Sequence, residues 1–316
     1  MSEIAAPARP PPPRGAIARA LDSDIFFSFR SSPIAVAAAI VFAICVFGAA
    51  FAPWIAPHNP FNVASLSLLD SFKPPAFVTG GEWNYVFGTD DQGRDMLSAI
   101  MYGARLSLMV GISSVLFAVV VGVSAGLLAG YSGGWLDTLL MRAADVQLTF
   151  QAFLVALLVD GVVGAVLPHD MRVTLEIYVL IFAIGIAQWP QFARIVRGST
   201  LVERNKDYVL AARVIGLSRL RIMATHVLPN VLGPVLIVAT LNLGLAIITE
   251  ATLSFLGLGL PPTEPSLGTL INNGDNFLFS GDWWMVVFPG LALVLLVLSI
   301  NLLGDWLRDA LNPKLR

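Results

Sequence analysis

The chain has 316 residues, of which 56% are hydrophobic and 13% are charged. One soluble core cannot bury that much apolar surface, so the composition excludes a soluble globular protein and predicts a membrane protein. The formal net charge of −2 gives no reason to expect nucleic acid as a partner. Cys45 is the only cysteine, which excludes internal disulfides and cysteine-based metal sites.

The N-terminal third of the chain is predicted to contain one membrane span between two polar segments. Residues 1–33 hold a run of four prolines and four arginines, which predicts a tail without a fold of its own, apart from a short amphipathic helix over residues 21–29 at the membrane surface. The apolar run of residues 34–55 reaches the roughly 20 residues that cross a bilayer. Residues 56–105 are polar and rich in proline, and we expect an extracytoplasmic loop.

Five further apolar stretches predict a core domain over residues 106–303. The second span is rich in glycine and serine, which let helices pack closely in lipid. A helix that begins at Trp135 continues into the third span, and a loop without a helix is expected between the fifth and sixth spans. The predicted spans cover residues 106–129, 146–167, 174–189, 231–257 and 284–303. The predicted fold is therefore an all-α polytopic membrane protein with six transmembrane helices and a tail at residues 304–316.

Basic residues indicate the orientation of these spans. Six spans place both termini on one side, and 15 of the 19 Lys and Arg residues fall on that side. Since Lys and Arg accumulate in cytoplasmic loops, we expect both termini in the cytoplasm. The polar segment of residues 198–230 then faces the cytoplasm.

Within that segment, the stretch DYVLAARVIGLSRLRIMATHVLPN at residues 207–230 predicts a helical hairpin. Asp207 is expected to cap its first helix, and Gly216 to end that helix in a left-handed conformation. Ser218 is expected to cap the second helix, and Pro229 to stop it. A DNA-binding helix-turn-helix has a similar pattern, but the apolar span that follows leaves no room for a soluble three-helix domain. Arg213, Arg219 and Arg221 make one side of the hairpin cationic, which suits docking on another protein.

The hairpin resembles the EAA coupling loop of the permease subunits of binding-protein-dependent ABC importers. That pattern is EAA, three residues, Gly, nine residues and a hydrophobic-x-Leu-Pro ending. Its positions are occupied here by Ala211, Ala212, Gly216, Leu228 and Pro229, with Leu210 in place of the Glu and His226 in place of the hydrophobic residue.

The resemblance extends from about residue 34 to the C-terminus. Four stretches are similar to the C-type permease of the dipeptide, oligopeptide and nickel branch: FGTDDQGRDMLSAIMYGARLSL, LAGYSGGWLDTLLMRAADV, EATLSFLGLGLPPTEPSLG and NLLGDWLRDALNPKLR. Gln151 stands where a Pro usually follows the Phe, which predicts a third span without a kink, and Leu267 replaces a usual Trp. Several long motifs in one order are far more specific than a single short match.

This resemblance implies the transmembrane fold of a type I ABC importer and a function in the uptake of dipeptides, oligopeptides or similar small solutes. The implied partners are a second permease in a heterodimer, two cytoplasmic ATPase subunits that bind ATP and Mg, and an extracytoplasmic solute-binding protein. Motion of the ATPases would reach the membrane through the 207–230 loop. The residues implied in this coupling are Asp207, Tyr208, Ala211, Ala212, Arg213, Gly216, Leu217, Ser218, Arg221, His226 and Pro229.

The chain carries no motif for chemistry of its own. It has no GxxxxGK[ST] phosphate loop, so it cannot hydrolyse ATP by that route, and we expect no cofactor in this subunit. HExxH is also absent, which leaves an enzymatic function without support. His58 and His169 would both lie outside the cytoplasm and could suggest nickel, but a metal site normally shows more ligands than two loop histidines. We expect no catalytic residue and no metal site.

Polar residues inside predicted spans are candidates for the transport pathway. Glu250 lies in the fifth span with Asn242 two turns earlier on a similar face, and ionisable residues in lipid are functional candidates. We expect Asn242, Glu250 and Gln151 to line the pathway or a gate; the alternative is that Glu250 only pairs with a neighbouring helix.

Two other functional classes remain as alternatives to the importer. A secondary transporter driven by an ion gradient would be expected to show inverted repeats, which this sequence lacks. A structural or assembly protein would leave the basic, capped hairpin without a purpose.

Overall fold

The computed structural model describes residues 24–60, 67–166, 169–258 and 266–311. Within these residues the regular elements are helices, and one isolated β-bridge joins Thr89 to Asp95. Five of the described helices are long and apolar enough to cross a membrane, and the number of spans is six if a further pair of helices, bent by 96°, counts as one span. The predicted all-α polytopic fold is confirmed.

The helices follow one another with short connections in most places. They are α1 (Asp24–Ser31), α2 (Pro33–Ala50), α3 (Ala52–Ile55), α4 (Met96–Ser132), α5 (Gly134–Thr149), α6 (Ala152–Val166), α7 (His169–Glu203), α8 (Asp207–Val214), α9 (Arg219–Ile222), α10 (Leu228–Phe255), α11 (Leu267–Asp275) and α12 (Trp284–Leu311). A π-helical turn, Met223–Val227, joins α9 to α10. Of the predicted surface helix, residues 21–23 lie outside the described residues.

Several helices differ in length from the predicted spans. The helix of the second predicted span, α4, begins at Met96, where Asp95 caps it by accepting a hydrogen bond from the Ser98 N–H at 2.9 Å. The end of the predicted loop at residues 56–105 is therefore helical. The predicted loop before α12 contains α11, which begins at a capping box between Ser266 and Thr269. A capping box is a local sequence signal, but the surrounding prolines and glycines favour a loop.

The third span is broken, contrary to the prediction that Gln151 leaves it without a kink. α5 ends at Thr149, α6 begins at Ala152, and the two axes differ by 96°. A side chain near this break contacts α7 at Pro190. This proline lies inside α7 and has no N–H to donate to the Ile186 carbonyl. Gln147 compensates, because its Nε2 donates to that carbonyl while its Oε1 accepts from Trp189 Nε1 at 2.8 Å. This explains why α7 continues past Pro190, where the predicted fourth span ends.

Close contact between α4 and α7 forms the centre of the core. Gly122, Gly126 and Gly130 lie one turn apart on α4 and face the backbone of α7. A Cβ at Gly122 would be 2.6 Å from the carbonyl O of Trp189, and one at Gly130 would be 2.7 Å from Thr200 Cβ. Small residues allow such an approach, and helices in lipid associate through this kind of packing.

Replacing Gly126 by Val is expected to separate α4 from α7. The new Cβ would lie 2.6 Å from the carbonyl O of Ala193 and 2.8 Å from Val196 Cβ. Overpacking of this kind lowers the free energy of unfolding by about 1–3 kcal/mol. SDS-induced unfolding of the purified chain in mixed micelles measures the change. The matched control is Gly161→Val, since nothing lies within 4 Å of a Cβ there; an equal loss in both variants would contradict the packing role.

Candidate functional site

The hairpin between α7 and α10 has the turn that its sequence predicts. Gly216 adopts a φ of +84° after α8. Its N–H donates to the Arg213 carbonyl at 3.0 Å, and the Leu217 N–H donates to the Ala212 carbonyl at 3.2 Å. This pair of bonds is a Schellman motif, which requires the left-handed residue. The Ser218 Oγ then accepts from the Arg221 N–H at 3.4 Å, so the predicted cap of α9 is confirmed.

Two other predictions for the hairpin are wrong. Lys206, not Asp207, occupies the N-cap of α8, and no side chain caps that end; Asp207 is the first helical residue, where a carboxylate favours the helix dipole. Pro229 does not stop the second helix. The π turn precedes it, with the Leu228 N–H bonded to the Met223 carbonyl, and Pro229 lies in the first turn of α10, where a missing N–H is tolerated.

A polar cluster around Tyr208 fixes α8 to the helices on either side. The Tyr208 hydroxyl donates to the Glu203 carboxylate at the end of α7. It accepts from Asn230 Nδ2 at 3.1 Å, and the same nitrogen donates to the His226 carbonyl at 2.7 Å. Loss of hydration, together with the bond to Glu203, raises the pKa of Tyr208 to about 12. Tyr208 therefore stays a neutral donor at physiological pH.

The hairpin is also fastened to the end of α4. Arg204 Nη1 donates to the Gly130 carbonyl at 2.7 Å. The Arg213 guanidinium lies over the Tyr131 ring at 5.0 Å, and its Nε donates to the Tyr131 hydroxyl at 3.3 Å. Such a cation–π contact adds to the hydrogen bond. Arg213 therefore holds the hairpin in place, whereas the sequence predicts only a cationic docking side.

The end of the hairpin presents an apolar surface to solvent. Val214, Ile215 and Leu220 are 88%, 77% and 72% exposed, and we call these three residues the tip surface. The exposed cations Arg219 and Arg221 adjoin it. By contrast, Val209, Ala212 and Ile222 are buried and pack the hairpin against the helical core. Exposed apolar residues bordered by charge are typical of a protein-binding surface.

The predicted coupling residues therefore lie in one hairpin but have different surroundings. Ala211, Ser218, Arg221 and Pro229 are exposed, while Ala212 is buried and Leu217 and His226 are partly buried. Glu203, Arg204 and Asn230 carry no sequence prediction, although they are polar residues next to the motif. Their roles depend on Tyr208 and Gly130, and the second of these lies far away in sequence.

A cavity of about 370 Å³ lies beside the break between α5 and α6. α7 and α10 form its other walls, and none of the described residues that line it is ionisable. Its polar lining residues are Gln151, Gln188, Gln191, Asn242, Thr249 and Thr252. Two of the three predicted pathway residues, Gln151 and Asn242, thus share one cavity. The other four carry no sequence prediction, although Gln188 and Gln191 are spaced three apart on one helix face, as are Thr249 and Thr252.

Glu250, the third predicted pathway residue, does not line this cavity. It is 0% exposed, and its carboxylate accepts from Ser107 Oγ at 2.6 Å and from Ser254 Oγ at 2.8 Å. Ser107 belongs to α4, so the carboxylate joins α10 to α4 in the interior. The geometry matches the alternative reading, in which Glu250 pairs with a neighbouring helix.

Metal-binding groups are not gathered anywhere in the described residues, where no three His, Cys, Asp or Glu side chains cluster. The His58 ring packs beside Tyr85, with 5.3 Å between the ring centres. His226 Nδ1 lies 2.7 Å from Thr225 Oγ1 on the hairpin. The side chain of His169 lies outside the described residues.

Comparison with known proteins finds two family models in the chain. Residues 122–316 match the binding-protein-dependent transport system inner membrane component, and residues 23–75 match the N-terminal TM domain of oligopeptide transport permease C. The first match includes the hairpin and the cavity.

Several curated proteins are similar over nearly the whole chain. The di/tripeptide transport system permease protein DppC of Pseudomonas aeruginosa is 39% identical, over 92% of this chain and 91% of its own length. The dipeptide transport system permease proteins DppC of Haemophilus influenzae and Escherichia coli K12 are 38% and 41% identical, over 93% and 91% of this chain and 95% and 91% of their own lengths.

Among solved structures, an inward-facing form of the MetNI methionine ABC transporter shares the fold. Its matching chain is 20% identical and superposes with a TM-score of 0.54, over 69% of this chain and 98% of that chain. At that identity the likeness concerns the fold alone.

Removal of the Tyr208 hydroxyl is expected to loosen the hairpin. Tyr208→Phe deletes the bonds to Glu203 and Asn230, and a net loss of about 1 kcal/mol corresponds to roughly fivefold faster hydrogen exchange at the amides of α8. Mass spectrometry of the deuterated chain measures this. Tyr178→Phe is the control, because Tyr178 is exposed on α7 outside the hairpin. Unchanged exchange in Tyr208→Phe would show that the cluster does not hold α8.

Proposed function

The chain belongs to the family of inner membrane components of binding-protein-dependent transport systems, and from that membership we propose that it is the permease subunit through which an ATP-driven importer takes up dipeptides and tripeptides. The observation that carries this proposal is the 38–41% identity to three dipeptide or di/tripeptide permeases over more than nine-tenths of both chains. Similarity of that extent includes the membrane core as well as the hairpin.

The hairpin supplies a route for coupling to ATP. In this proposal the tip surface docks on a cytoplasmic ATPase, its apolar side chains fill a groove, and Arg219 and Arg221 meet acidic groups at the rim. Such anchors carry most of the binding energy of an interface. The Schellman turn and the Tyr208 cluster make the hairpin stiff, so that motion of the ATPase moves α7 and α10 instead of bending the loop.

The remaining subunits follow from this arrangement. ATP and Mg bind to two ATPase subunits, a second permease completes the pathway as a heterodimer, and an extracytoplasmic binding protein delivers the solute. With the hairpin on the ATPase, both termini lie in the cytoplasm, in agreement with the excess of Lys and Arg on that side. The solute then crosses by alternating access, as ATP binding shifts the population of two conformations.

Uptake by the reconstituted complex tests the proposal. Proteoliposomes that contain this chain, its partner permease and both ATPases should import a radiolabelled dipeptide when ATP and the loaded binding protein are present. Gly216→Pro should lower the initial rate at least tenfold, because proline fixes φ near −65° and removes the N–H that donates to Arg213.

Two control variants separate this effect from a general defect. Gly216→Asn should retain most of the activity, since Asn tolerates the left-handed region. Gly198→Ala should behave as the wild type, because nothing lies within 4 Å of a Cβ there. Import by Gly216→Pro at the wild-type rate would contradict the coupling role. Uptake driven by a proton gradient without the ATPases would support a secondary transporter instead.

A charge within the tip surface is expected to weaken ATPase binding. Ile215→Asp places a carboxylate where the side chain is 77% exposed, so the fold of this subunit should not change, but a docked carboxylate would lose its hydration. We expect at least tenfold less ATPase to copurify with the variant. Val202→Asp is the matched control, because Val202 is 64% exposed at the end of α7, outside the tip surface. Equal copurification in both variants would exclude docking through Ile215.

A further inference from the structure

The cavity beside the α5–α6 break is lined by uncharged polar side chains, and two of their oxygen atoms have no hydrogen-bond partner among the described residues. Asn242 is 2% exposed, and its Nδ2 already donates to the Val238 carbonyl at 3.0 Å. The Oδ1 atom of the same side chain is buried and has no hydrogen-bond partner among the described residues. The Gln188 Oε1 is also buried without such a partner. Two amide oxygens in the cavity wall are therefore free to accept.

The threonines on the same wall are acceptors for a similar reason. Thr249 Oγ1 donates to the Leu245 carbonyl at 2.8 Å, and Thr252 Oγ1 donates to the Ile248 carbonyl at 2.7 Å. Each hydroxyl has one hydrogen, which is already engaged in that bond, so it can only accept a hydrogen bond from a molecule in the cavity. The cavity wall therefore contains four uncharged acceptor oxygens, which belong to Gln188, Asn242, Thr249 and Thr252.

The position of the cavity suits a solute that crosses the membrane. Asn242 lies midway along α10, and Gln188 lies midway along the apolar part of α7. The non-helical backbone at the α5–α6 break adjoins both, and such breaks are tolerated at membrane depth only inside protein or along a water-filled cavity. A volume of about 370 Å³ falls at the lower end of small-molecule sites, which span roughly 300–1,000 Å³. One solute of dipeptide size fits such a space.

We propose that this cavity is a transient binding site for the amino end of the transported peptide, with the four acceptor oxygens receiving hydrogen bonds from its α-ammonium group and first peptide N–H. The inference rests on the proposed function and names the part of the solute that the cavity holds. A peptide supplies the N–H donors that these buried oxygens lack, and an unpaired buried acceptor costs free energy.

The absence of charge from the described lining residues determines how tightly this site binds. A carboxylate would hold an ammonium group through an ion pair, whereas amide and hydroxyl oxygens give weaker, neutral bonds. Passage through a membrane protein requires sites that are favourable enough to enter and weak enough to leave.

Uptake and ATP hydrolysis by the reconstituted complex test the site. Gln188→Leu and Asn242→Leu should each lower dipeptide uptake at least tenfold, while ATP hydrolysis stimulated by the loaded binding protein stays within twofold of the wild type. Thr249→Val preserves shape and should lower uptake about threefold. The control is Thr240→Val, because Thr240 lies on α10 and donates to the Ile237 carbonyl but does not line the cavity.

Competition on the detergent-solubilised complex, without the binding protein, tests the specificity for the amino end. A dipeptide amide, which keeps the ammonium group and lacks the carboxylate, should displace a radiolabelled dipeptide. The N-acetylated dipeptide should compete at least tenfold less well. Equal competition by both would overturn the assignment of the amino end.

The outcomes distinguish this inference from the function on which it rests. Wild-type uptake in the leucine variants would show that the cavity holds only water, and the inference would be wrong while the importer stands. A wild-type complex that imports no peptide with ATP would instead overturn the proposed function.

Discussion

The close approach of α4 and α7 is the contact on which the rest of the structure depends. Three glycines on α4 let the backbone of α7 lie against it, and in lipid this packing replaces the hydrophobic force that drives soluble folding. One of these two helices, α7, contributes to both candidate sites. α7 places Gln188 at the middle of its apolar part and ends at the hairpin, where Arg204 binds the carbonyl of Gly130, the last of the three glycines. One crossing thus fixes the distance between the hairpin and the cavity.

Polar groups in the membrane core fall into two kinds that differ in their partners. Glu250 is fully enclosed, and serines from two helices satisfy its oxygens, so it behaves as a structural link. Asn242 lies two turns earlier on the same helix and lines the cavity, yet its side-chain oxygen is buried without a partner among the described residues. Sequence position alone gives these residues the same interpretation. The difference lies in whether a neighbouring helix supplies a donor.

Local signals predicted much of this molecule. The apolar runs place the spans, Gly216 marks the left-handed turn, and Ser218 marks the start of α9, because each of these depends on residues within a few positions. Contacts between distant residues were not predictable. Pro190 predicts the end of a helix. However, Gln147 donates a hydrogen bond to the Ile186 carbonyl, which the proline leaves without a donor, and α7 continues. The donors to Glu250 and the shared cavity of Gln188 and Asn242 likewise depend on how four helices are arranged, which periodicity does not encode.

The π turn before Pro229 has a mechanical consequence. It lets α9 run into α10, so that residues from Arg219 to Phe255 form one segment of 37 residues, about 55 Å long. Val231 and Val235, toward the hairpin end of this segment, are buried and pack against the helical core. When such a segment rotates as a rigid body about these two valines, a displacement of Leu220 on one side moves Asn242, on the other side, in the opposite direction. A displacement of a few ångströms at Leu220 would therefore move the wall of the cavity through one continuous helical segment.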